Sequence, residues 1–148
     1  MTRRAHAIAG AIAFLTVLTF WIATLIAELW LSPAAILSVK RGILGGLVIL
    51  IPAMVVAARS GTKLAGPRQG GPIGRKKKRM RLLVLNGLLV MAPSALFLYT
   101  RAAASNYDAT FIAVQIVELS IGLVQMVLLA LSFRDGLMLT SRIRPTKI

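Results

Sequence analysis

Residues 59–81, RSGTKLAGPRQGGPIGRKKKRMR, decide how this chain is organised. They include Arg59, Lys63, Arg68, Arg75, Lys76, Lys77, Lys78, Arg79 and Arg81, half of the chain's 18 basic residues, and no acid. Two long apolar stretches precede this segment, at 5–27 and 36–58, and two follow it, at 82–100 and 110–133. At about 1.5 Å of helix per residue, each is long enough to cross a hydrocarbon core roughly 30 Å thick. Lys and Arg close to the ends of spans are retained on the cytoplasmic side. The basic segment therefore predicts an orientation as well as a class. The expected fold is an all-α integral membrane four-helix bundle, up-down-up-down, with N- and C-termini cytoplasmic. It forms a single transmembrane domain over 1–148, with an interfacial cytoplasmic tail at 134–148.

Composition agrees. Hydrophobic residues make up 57% of the 148 residues, and the mean hydropathy is +0.81, so four spans leave no length for a second globular unit. Arg3 and Arg4 at one terminus, and Arg134, Arg142, Arg144 and Lys147 at the other, carry the same sign as the linker. A net charge of +14 in a soluble chain points to nucleic acid. Here the charge flanks apolar spans without interleaved aromatics, so nucleic acid is not expected. The partners expected of Arg75, Lys76, Lys77, Lys78 and Arg79 are anionic lipid headgroups. The apolar run after Arg3 and Arg4 is too long for a signal-peptide core and reads as an uncleaved first span. The expected location is the bacterial inner (cytoplasmic) membrane.

With no cysteine in the chain, disulfides, thiolate metal sites and Cys nucleophiles are excluded. One histidine, His6, gives at most one imidazole ligand per chain. It stands at the edge of the first span and reads as a polar boundary residue; its functional alternative is an axial haem ligand. No Gly-x-Ser-x-Gly elbow or phosphate-loop spacing occurs. No enzyme activity, cofactor or metal is expected.

Ser32-Pro33 predicts the start of the second helix and a tight hairpin with the first. Gly42 and Gly46, one turn apart, predict close helix packing. Pro52 and Pro93, inside the second and third spans, predict bends. The glycines and prolines of 61–74 predict an irregular linker, and Gly136 a helix stop.

The strongest site candidate is Glu118, about ten residues into the fourth span. That places it about 15 Å deep, where an ionisable side chain costs about 2.5–3.5 kcal/mol on insertion scales. Asp108, Phe111, Gln115, Glu118, Gly122, Gln125, Leu129 and Ser132 recur at threes and fours and share one helical stripe. The leading expectation is that Gln115, Glu118 and Gln125 hydrogen-bond across the bundle, with Thr16, Thr19 and Asn86 as partners. An ion pair of Glu118 with Lys40 or Arg41 is the second, and a proton, cation or ligand site the third.

The expected role is a small non-enzymatic membrane protein, structural or accessory, that associates with a membrane protein partner or as a homo-oligomer. The alternatives are a proton-coupled transporter using Glu118 and a haem-binding electron-transfer anchor using His6. Small multidrug transporters are also four-span chains with an intramembrane glutamate, but theirs lies in the first span and Glu118 lies in the fourth.

The orientation is testable with cysteines introduced at Gly70 and Ser105. In intact cells an impermeant thiol reagent should label position 105 and leave 70 dark until the membrane is opened. The opposite pattern inverts the topology.

Overall fold

The computed structural model describes residues 3–65 and 71–141, with side chains over 4–63, 74 and 77–135. The chain is all-helical over these residues. Helix α1 covers Arg3–Trp30, α2 Pro33–Ala65, α3 Gly71–Asn86, α4 Ala92–Ala103 and α5 Ala109–Ser141. A π-turn at Gly87–Met91 joins α3 to α4. Four stretches are long and apolar enough to cross a membrane: Arg4–Trp30, Pro33–Lys63, Lys77–Ala103 and Ala109–Asp135. The third runs from α3 through the π-turn into α4.

Helix replaces much of the irregular linker expected over 61–74. α2 continues to Ala65 and α3 begins at Gly71, which leaves 66–70 outside the described residues. Once a span has formed, each further residue adds a hydrogen bond without a new nucleation step. The same applies at Gly136, which does not stop α5: the helix runs on to Ser141. A glycine inside a helix costs only about 1 kcal/mol, and Asp135, one residue earlier, is anchored to Arg79 of α3 at 3.0 Å. The remainder of the predicted interfacial tail, 142–148, lies outside the described residues.

Pro52 is accommodated within α2 and faces outward. Pro93 lies just after the π-turn. A proline at 93 has no N–H for the carbonyl of residue 89 and crowds it. Widening the preceding turn, where the Ala92 N–H bonds the Gly87 carbonyl, relieves that crowding.

α1 packs beside α2 and α5, and the third span packs beside α2 and α5, so α2 and α5 lie across the bundle diagonal from each other. Two apolar clusters fill the interior. One joins Ala27, Ile36, Leu98, Ala102 and Phe111 at the end of the bundle that carries the short connections. The other joins Ala13, Val17, Leu50, Ala53, Leu83, Met126 and Leu129 nearer the basic end. Outward faces carry Ile8, Leu15, Val48, Ile49, Leu89, Ile116 and Val124, as lipid contact requires.

The short connections are closely tied. The carbonyl of Ser32 accepts from the N–H groups of Ala35 and Ile36 at 2.9 and 3.0 Å, which starts α2 at Pro33. At the end of α4, Ser105 takes a left-handed φ of 53°. The N–H groups of Ser105 and Asn106 then bond the carbonyls of Ala102 and Arg101, the paired arrangement that closes helix C-termini. Asp108 caps α5 by accepting from the Phe111 N–H at 2.9 Å, and Tyr107 donates to the Pro33 carbonyl at 3.1 Å.

Small residues set how closely α1 and α2 approach. Ala9 and Ala13 of α1, and Ala53, Ala57 and Ser60 of α2, are all buried. Gly46 lies against Phe20 of α1, and a Cβ there would overlap the Phe20 ring. Gly42 makes no such contact within the chain: it faces outward, and a Cβ on it meets nothing within 4 Å. One turn separates the two glycines, but only Gly46 falls on the α1 side of the helix.

Gly46→Leu should therefore destabilise the bundle by about 1–3 kcal/mol, the usual range for overpacking. Gly42→Leu should melt like the parent in detergent. Equal melting curves for the two variants would remove the distinction between the inward and outward glycines.

Candidate functional site

The buried face of α5 carries the polar stripe. Phe111, Gln115, Glu118, Gly122, Gln125, Leu129 and Ser132 all point inward, while Ile112, Ile116, Val117, Leu123, Val124 and Val127 face out. The stripe meets its main partner across the diagonal. Lys40 of α2 is only 1% exposed and extends its Nζ to Glu118 Oε2 at 3.3 Å. It also donates to Gln115 Oε1 and lies 3.5 Å from Glu28 Oε1 of α1. Gln115 Nε2 donates in turn to Glu118 Oε2 at 3.2 Å. Three helices thus converge on one ammonium group. Only a long side chain bridges that distance, because α2 and α5 are not backbone neighbours.

This arrangement replaces the leading expectation of purely neutral hydrogen bonds around Glu118. Thr19 turns outward and bonds the Leu15 carbonyl of its own helix. Asn86 donates to Gln125 Oε1 at 2.7 Å, as expected of a partner across the bundle, and Gln125 Nε2 reaches the Leu83 carbonyl at 3.3 Å. Of the two cations considered, Lys40 is inside and Arg41 is exposed, since adjacent helical residues point about 100° apart.

Along α5, Glu118 stands nearer the short connections than the basic end. Arg4, Arg59, Lys78, Arg81 and Arg134 are exposed at the basic end. Glu118 is sixteen residues from Arg134, about 24 Å along the helix. It is nine residues, about 14 Å, from Ala109 at the start of α5.

Below the cluster, toward the basic end, lie two cavities of about 40 Å³ each. The first is walled by Val17, Phe20, Trp21, Leu47 and Gly122, with Thr24 and Glu118 as its polar lining. The second is bounded by Met54, Val84, Gly87 and Gln125, and Leu47, Leu50 and Met91 line both. Each has room for about three water molecules. Trp21 Nε1 donates to the Leu119 carbonyl at 2.9 Å, fixing α1 to α5 beside the first cavity.

The other candidates are placed differently. His6 sits between α1 and α2, with Nδ1 3.0 Å from the Ala57 carbonyl and 3.1 Å from Ser60 Oγ. A carbonyl only accepts, so Nδ1 carries the proton. The ring packs against Gly61. Arg79, expected at lipid headgroups, is in the ion pair with Asp135; Lys78 is exposed. The side chains of Arg75 and Lys76 lie outside the described residues. No group of three or more His, Cys, Asp or Glu suited to a metal occurs among the described residues.

Sequence reasoning passed over Glu28 as a span-end residue. The hairpin at 31–32 was the available signal, because it folds the end of α1 back beside the start of α2, within reach of a lysine. No protein-family model, curated protein or solved structure matches the chain.

Removing one member of a buried pair leaves the other charge uncompensated, at about 3–5 kcal/mol. Lys40→Met should therefore lower detergent stability strongly at neutral pH, and Lys40→Met with Glu118→Gln should recover part of the loss. The Lys40→Met deficit should also shrink as pH falls, because keeping the buried carboxyls protonated costs less the closer the pH comes to the ordinary carboxyl range. Additive losses in the double variant would show that Lys40 and Glu118 are not coupled.

Proposed function

We propose that this small integral membrane protein is a non-enzymatic structural or accessory component, held in a bacterial inner membrane with both termini cytoplasmic. It works by associating through α2 with another membrane helix. The observation that carries this reading is the outward face of α2, where Arg41, Gly42 and Gly45 are all exposed and neither glycine has a neighbour within 4 Å of a Cβ. Against lipid, glycines bury nothing and destabilise the helix. Against a second helix, they admit close backbone approach, and Arg41 gains an anionic or carbonyl partner in a medium of low dielectric constant. The buried charges fit the same role: they join α1, α2 and α5 to one another and leave the bundle's outer face for assembly.

A second reading, proton-coupled transport through Glu118, draws support from the cavity beside that carboxylate. The Lys40 pairing weighs against it, because a carrier must release what Glu118 binds.

Gly42→Leu and Gly45→Leu separate association from folding. Native mass in lipid nanodiscs should show the parent with a second copy or a stoichiometric second polypeptide. Each variant should remain folded and lose that partner. A parent that is monomeric and partner-free, with Arg41 serving lipid phosphate alone, would overturn the accessory reading. For the second reading, Glu118→Gln should abolish proton-coupled flux in liposomes while leaving assembly intact.

A further inference from the structure

We propose that Glu28, Lys40 and Glu118 form a proton-binding site, in which the two carboxylates hold one exchangeable proton and Glu28 is the group that takes it up. The site requires neither a partner nor transport.

The first argument is a charge count. Lys40 Nζ lies 3.5 Å from Glu28 and 3.3 Å from Glu118, so one ammonium faces two carboxylates. Glu28 comes from α1 and Lys40 from α2, whose next cation, Arg41, points outward. α5 adds Gln115, which is neutral. Arg101 of α4 is engaged with Asp108 at 3.4 Å and with the face of Phe97. Asn86 of α3 bonds Gln125, farther toward the basic end. Among the described residues, no second cation reaches the cluster. With both carboxylates ionised it would carry one unbalanced negative charge inside the membrane, a state that like-charge repulsion and burial both disfavour. One proton, drawn from water at the membrane surface, removes the imbalance. A metal cation fits poorly, because the ammonium already occupies the space between the two carboxylates and repels a second positive ion.

The second argument identifies the carboxylate. Glu118 accepts hydrogen bonds from both Lys40 and Gln115. Glu28 Oε1 is shielded from solvent and meets Lys40 Nζ at 3.5 Å, a longer contact than the one Glu118 makes. Glu28 also lies two residues from the C-terminus of α1, the negative end of the helix dipole, where a carboxylate is disfavoured. Access points the same way: the Glu28 side chain is 17% exposed and that of Glu118 8%.

Glu28 and Glu118 are the only glutamates in the chain, which makes the test direct. Full-length protein carrying ¹³C at glutamate Cδ, held in lipid nanodiscs, should give two side-chain carboxyl resonances. Near neutral pH the wild type should show one neutral carboxyl and one carboxylate, and raising the pH should move only the neutral one. Glu28→Gln should leave a single resonance, that of an ionised Glu118. Lys40→Met should show two neutral carboxyls. If Lys40→Met does not fold, the Glu28→Gln comparison still decides. Two carboxylates in the wild type at neutral pH would overturn the proposal. So would a neutral Glu118 in Glu28→Gln, or a resonance that follows sodium concentration at fixed pH.

Discussion

The burial of one ammonium group between α2 and α5 is the constraint around which this bundle is arranged. Lys40 and Glu118 sit on helices whose backbones are not neighbours, and their contact spans the diagonal of the four-helix square. In hydrocarbon a charge left without a partner is expensive, so the pair fixes the rotation of both helices about their axes. The rotation of α5 turns Gln115, Gly122, Gln125 and Ser132 inward, and that of α2 turns Arg41, Gly42 and Gly45 outward. The polar interior and the unfilled outer face thus have a common origin.

Elsewhere the spans are held by contacts that do not depend on expelling water, since lipid is as apolar as leucine. Alanines and Ser60 bring α1 and α2 close, His6 fills the groove beside Gly61, and Trp21 bonds a backbone carbonyl of α5. The two apolar clusters occupy opposite ends, with the charges and the cavities between them. A polar level near the short connections, with the Glu28 side chain 17% exposed at its edge, suits exchange with water more than a sealed charge does. That geometry links the proposed proton site to the structural role of Lys40: the ammonium that orients the helices also gathers two carboxylates around a single positive charge.

The four spans, their alternation and the concentration of charge at one end were legible in the chain, because each depends on local composition and length. Span length follows from the run of apolar residues, and the basic flanks of 59–81 delimit the second and third spans whatever the packing. The inward stripe on α5 was equally readable, since a helical period needs no knowledge of neighbours. Local signals failed where continuation competes with termination: Gly136 and the glycines near 71 lie within helices that were already formed and cost little to extend.

What the sequence determined by itself was the membrane class, the number of spans, and which face of α5 is polar. Only the tertiary structure decided which residues answer that face. Glu118 chose Lys40 over Thr16, Thr19 and Arg41, and Glu28 joined them from a helix end that composition marked as ordinary. Such pairings depend on the rotation and diagonal placement of helices far apart in the chain. No periodicity within one span encodes the azimuth of another, so partner choice emerges only when all four helices are packed together.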